Sequence, residues 1–190
     1  MLLLQILSAV LFFLNKIYVR QKKAIGWIYG IIGAIVITIY FYLQMILQHK
    51  ANLWIMIVLD IALVFLMLYG YLVAKSKKGT KFKEYLEKRN LLFKSIIVAI
   101  IIFVCTLLLI EAITSQLVII QFFFAILTMF GTLFLALDKK IPNIAGWIFL
   151  FIAHVICTYI MFKTDSPIIA VFQILSALVA LDGIRKELER

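Results

Sequence analysis

Asp60, Gln121, His154, Thr158 and Gln173 sit inside apolar stretches long enough to cross a bilayer as helices. In hydrocarbon each lacks water and must find a partner or a solute. The chemistry open to them is reversible hydrogen bonding rather than bond making. Neither His49 nor His154 belongs to a metal-ligand spacing, no serine sits in a nucleophile elbow, and no glycine-rich phosphate loop follows a strand. No enzyme, cofactor or metal is therefore expected.

The central stretch runs from Asn143 to Met161, and on a helix Trp147, Phe151, His154 and Thr158 fall on one face. Lipid gives such an aromatic and polar stripe nothing, whereas a neighbouring helix or a solute held between helices would satisfy it. A lone span histidine can be a packing residue or a binding and gating one. Trp147 can belong to the interfacial aromatic belt or stack a flat cationic ring, a contact worth about 0.5–2 kcal/mol. Trp54, which begins the third apolar run, carries the same two readings.

Asp60 lies well inside that third run, where an ionised carboxylate costs on the order of 2.5–3.5 kcal/mol. A hydrogen bond to another helix, a retained proton, or a role as solute acceptor would each justify it. Gln121 with Thr128, and Gln173 with Ser176, recur at helical spacing, so each pair faces one way. Such groups can join helices at near 1 kcal/mol per bond, or serve as the uncharged donors and acceptors a nucleoside or vitamin needs.

The elements that must position these groups follow from composition. Of 190 residues, 66% are hydrophobic and 15% charged, with a mean hydropathy of +1.15; soluble domains are roughly half apolar and a quarter charged. The chain is an all-α integral membrane protein. The first apolar run lacks a basic start and a small-residue cleavage site, so it is read as structure rather than a leader. Cys105 and Cys157 lie inside apolar runs, as small packing residues do.

Apolar runs at about 2–19, 25–47, 53–73, 92–113, 117–137, 144–162 and 167–183 predict seven transmembrane helices. With seven crossings, 17 lysines and arginines, Lys16 among them, fall on one side, and only Lys50 and Lys163 on the other. The positive-inside rule then puts the N-terminus outside and the C-terminus in the cytoplasm. The net charge of +10 is thereby read as topology and not as nucleic-acid binding. The lysine-rich connection over 74–90 is read as a solvated signal or a helix touching anionic lipid heads.

The chain also matches itself. An offset of 120 lays Gly26-Trp27-Ile28 on Gly146-Trp147-Ile148, Thr38 on Thr158, Ser8 on Thr128 and Ala34 on His154. Past a shorter turn the offset is 113, bringing Asp60 over Gln173 and Gly70 over Gly183. This predicts a first triple-helix repeat over 1–73, a basic connection over 74–90, a connector helix over 91–113, and a second repeat with a short tail over 117–190. Such a 3+1+3 plan, with parallel repeats as in the SWEET carriers, places a solute site near the midplane between repeats.

The Gly26-Trp27-Ile28-Tyr29-Gly30 start of the second run, Leu68-Tyr69-Gly70-Tyr71 closing the third, and the Lys139 to Trp147 approach to the sixth resemble the PnuC family of bacterial vitamin transporters, over nearly the whole chain. The resemblance implies a bacterial inner-membrane protein that takes up nicotinamide riboside, thiamine, riboflavin or a nucleoside by facilitated diffusion, with trapping by cytoplasmic phosphorylation. Nicotinamide riboside carriers of the family bear Trp-Asn-x-x-Trp where this chain has Asn143-Ile144-Ala145-Gly146-Trp147, so only the second tryptophan is matched. The expected substrate-binding set is Trp147, His154, Asp60, Gln121, Gln173, Thr158, Asn143 and Trp54. The partners expected are a small-molecule solute and membrane lipid, a homo-oligomer being compatible with both. The competing readings are a non-transporting membrane interaction protein, in which the polar groups only pack helices, and a carrier coupled to protons through His154 or Asp60.

Overall fold

The computed structural model describes residues 1–48, 54–76, 116–137, 139–163 and 166–190. They form six helices, each long and apolar enough to cross a membrane: α1 (Leu2–Arg20), α2 (Ile25–Gln48), α3 (Trp54–Lys75), α4 (Gln116–Ala136), α5 (Lys140–Lys163) and α6 (Pro167–Glu189). No strand occurs among the described residues. The seventh expected crossing, at 92–113, and the expected basic connection over 74–90, apart from residues 74–76 at its start, lie outside them.

The helix ends follow local chemistry. Lys22, at a positive φ of 56°, closes α1: its amide bonds the Val19 carbonyl at 2.8 Å, and the Lys23 amide reaches the Tyr18 carbonyl at 2.9 Å. That left-handed residue costs about 1 kcal/mol and reverses the chain within four residues, so α2 can return against α1. α5 starts before Pro142, ahead of the apolar run, because a proline in the first turn removes no intrahelical bond. α6 runs past the expected stop at 183 to Glu189. Arg185 pairs with Asp182 at 3.6 Å and with Glu189 at 3.4 Å along that extension, where side chains three and four apart are neighbours.

Each helix packs on its chain neighbours, α3 packs on α4, and α6 on α1, so the six close into a ring. The ends of α1, α3, α4 and α6 and the starts of α2 and α5 gather at one mouth of the ring, around Val19, Lys22, Trp27, Ser76, Ala136, Asn143 and Glu187. That mouth is the basic end. The first and second triplets therefore run in the same sense.

The outer face of the ring is what lipid requires. Ile32, Ile35 and Ile39 on α2, and Ile152, Val155 and Tyr159 on α5, are exposed at positions 120 apart, while Ala34, Ile37, Ala153, His154 and Cys157 turn inward. Polar groups that hydrocarbon would penalise are withdrawn from it: Asp60, Gln121 and His154 are each at most 6% exposed. At the far end, Gln5, Gln44 and Ser166 all meet the buried Tyr40 hydroxyl, joining α1, α2 and the start of α6; Gln44 Nε2 donates to it at 2.7 Å.

Candidate functional site

Inside the ring lies a narrow cavity of about 60 Å3. Its walls are built in pairs. At the 120 offset stand Ser8 with Thr128, Ile37 with Cys157, and Phe41 with Met161; at the 113 offset stand Met56 with Ile169, Asp60 with Gln173, and Leu63 with Ser176. Positions that match in sequence thus face one another across the centre of the ring.

Phe12, Phe41, Phe124 and Phe172 supply aromatic surface, and a few polar groups point into it. His154 Nδ1 lies 2.5 Å from Gln173 Oε1. Because that oxygen can only accept, Nδ1 carries the proton and Nε2 is left as an acceptor. Neither Nε2 nor Asp60 Oδ2 has a hydrogen-bond partner among the described residues. A buried group left unpaired costs on the order of 1–3 kcal/mol, which a bound donor such as an amide or hydroxyl would recover. Thr128 also lines the cavity, but its hydroxyl donates to its own helix, to the Phe124 carbonyl at 2.8 Å.

The cavity also holds a residue counted above only as a topology signal. Lys16 is 6% exposed and lines the wall with Phe12 and Ser8, one and two helical turns away on the same face of α1. No hydrogen bond or ion pair ties it to another described residue. The signal was present in the spacing, since Ser8, Phe12 and Lys16 follow at intervals of four and Ser8 already aligned with Thr128. Lysine counts as a loop residue by composition, and that hid it.

A second cavity, of about 140 Å3, opens at the basic end. Trp27 and Trp147, equivalent under the 120 offset, both line it, with Asn143, Lys22 and Glu187 around them. A Cβ on Gly70 would fall 2.7 Å from the Trp27 ring, and one on Gly183 2.5 Å from the Trp147 ring. Each indole therefore needs a glycine on the third helix of its own triplet. Asn143 Nδ2 donates to Glu187 Oε1 at 3.4 Å, and Lys22 pairs with the same oxygen at 3.1 Å. Arg20 pairs with Asp182, adding a second link between the ends of α1 and α6.

The expected binding set is thus divided. Asp60, His154 and Gln173 share the central cavity, while Trp147 and Asn143 line the one at the basic end. Gln121 is buried, its Oε1 unpaired among the described residues, and does not line the central wall. The Thr158 hydroxyl donates to the His154 carbonyl at 2.8 Å, as Thr38 does to Ala34 at 2.7 Å, so this matched pair satisfies its own helices. Trp54 is half-buried against the core and lines neither cavity. The stripe on α5 therefore splits along its length between two chambers and a backbone bond.

A protein-family model described as nicotinamide mononucleotide transporter matches residues 2–186. No curated protein and no solved structure matches the chain.

Proposed function

The chain belongs to the nicotinamide mononucleotide transporter family, the PnuC family, and is a multi-pass membrane transporter rather than an enzyme; from that premise we propose that the central cavity carries a ring-bearing vitamin or nucleoside of the nicotinamide riboside kind, by facilitated diffusion. The observation that carries this is the cavity lined by repeat-matched pairs, with Asp60 Oδ2 and His154 Nε2 unpaired among the described residues and set against phenylalanine walls. Aromatic faces suit a flat ring, and the two acceptors suit its amide and hydroxyl donors.

In this reading the chain adopts the 3+1+3 plan with parallel repeats and the boundaries expected from sequence. It lies in the bacterial inner membrane with the N-terminus outside and the C-terminus in the cytoplasm. Uptake passes from the central cavity to the one at the basic end, where Trp147 and Asn143 meet the solute on its way out. The two triplets rock about the solute between openings. Thiamine and riboflavin are the alternative cargoes. Trapping by cytoplasmic phosphorylation, which the resemblance implies, gains no help from electrostatics, because Lys16 puts a cation inside the ring; size or onward metabolism has to retain the product.

The test is purified protein in liposomes with labelled nicotinamide riboside, thiamine, riboflavin and nucleosides. At least one should equilibrate down its gradient, saturably and at a rate set by protein. If none does, and alanine at Asp60 changes stability alone, the membrane interaction protein is the better reading.

A further inference from the structure

The cavity at the basic end is the larger of the two, at about 140 Å3 against about 60 Å3. Asn143 and Trp147 line it from one face of α5, four residues apart, and Trp27 joins them from the first triplet. Both indoles are buried, Trp27 packed against Gly70 and Trp147 against Gly183.

Asn143 is 4% exposed, and the two ends of its amide are treated differently. Nδ2 donates to Glu187 Oε1, the same oxygen that pairs with the Lys22 ammonium. A carboxylate oxygen held by an ammonium accepts, so the amide nitrogen has to be the atom turned toward it. Oδ1 is left buried with no hydrogen-bond partner among the described residues. An acceptor in that position needs a donor, and the fold supplies none there. The first triplet carries no copy of this amide: the matched position is Lys23, whose ammonium lies 5.5 Å over the Tyr18 ring. The cavity thus takes an indole from each triplet and one oriented acceptor from the second.

From this geometry we infer that Asn143 is a specificity residue of the basic-end cavity, which takes the ring of the solute and reads one N–H donor on it through Oδ1. Glu187 is the positioning residue, acting on the solute only through the Asn143 amide. The inference rests on the transport reading above and deepens it: among flat solutes, those whose ring bears an amide, imide or amino N–H pass, and isosteres lacking that donor are rejected. The mismatch is costly because it leaves the oxygen both dry and unpaired.

The probes are pairs that differ in this donor and keep their charge: nicotinamide riboside and its methyl ketone analogue, adenosine and thiamine each with its deamino analogue, and riboflavin with its imide N-methylated form. Uptake is measured with the full chain in liposomes, and binding separately by quenching of tryptophan emission. In at least one pair the donor-bearing member should be favoured about 10-fold in both. Asn143→Leu should bring that ratio to about one. Glu187→Gln, which can turn either amide atom toward Asn143, should lower it at least about 2-fold, a change in preference that a merely structural role would not produce. A wild-type ratio near one in every pair, or a ratio that survives in Asn143→Leu, overturns the inference and leaves transport standing. If Asn143→Leu does not fold, Glu187→Gln decides, since an unchanged ratio there overturns the inference too. If nothing crosses but binding shows the preference and its loss in the variants, the inference holds and the transport reading falls. If nothing crosses and binding shows no preference, both fall.

Discussion

Gln173 on α6 accepts the proton of His154 Nδ1 on α5, so a carboxamide fixes which imidazole nitrogen faces the cavity. Gln173→Leu frees the ring to turn or change tautomer. Solute affinity should fall about 5- to 10-fold, the worth of one buried hydrogen bond, and His154→Leu should cost little more on that background than on its own. Saturation uptake curves of the two single variants and the double check this; full additivity would mean the two residues act separately.

Asp60 separates packing from binding. Asp60→Leu removes a buried carboxylate oxygen that has no partner among the described residues, so the melting temperature should hold or rise. Uptake should nevertheless fall at least about 10-fold, because the acceptor is gone. A variant that is less stable yet transports normally would assign Asp60 to the packing of α3.

Gly70 and Gly183 should be matched in sensitivity. Alanine at either places a carbon 2.5–2.7 Å from an indole, which must shift. Both variants should melt several degrees lower, since overpacking costs about 1–3 kcal/mol. Gly183→Ala should also alter tryptophan emission as Trp147 leaves its seat. Two silent substitutions would show that the indoles are not held where the glycines permit.

Arg20 and Asp182 join the first helix to the last. Both side chains keep about a quarter of their exposure, so the pair is worth no more than about 1 kcal/mol. Arg20→Asp or Asp182→Arg alone should lower the melting temperature by a few degrees, and the exchanged pair should recover most of it. No recovery in the double variant would make this an incidental contact.

The helices themselves were legible because hydrocarbon imposes one demand, an apolar run of a certain length, and α1 to α6 meet it with ends displaced by only a few residues. Pro142 and the charged tail of α6 moved those ends because a first-turn proline and spaced ion pairs extend helices that hydropathy alone would stop. Much of the cavity wall was legible too. Ser8 with Thr128 and Asp60 with Gln173, matched by the two offsets, all line the one central cavity. Sequence periodicity could not say how the α5 face is shared along its length, since which chamber Trp147 or His154 enters depends on where neighbouring helices leave space. Nor could it show that the Thr158 hydroxyl turns back to its own backbone. Lys16 escaped for a different reason: a topology count treats every lysine near a span end as wet, and only packing reveals the one drawn inside.

Both triplets finish at the same mouth of the ring, and each brings its own basic residues there: Arg20, Lys22 and Lys23 in one, Lys139, Lys140 and Arg185 in the other. Each half thus carries its own orientation label for the insertion machinery and does not inherit its polarity from whatever was threaded before it.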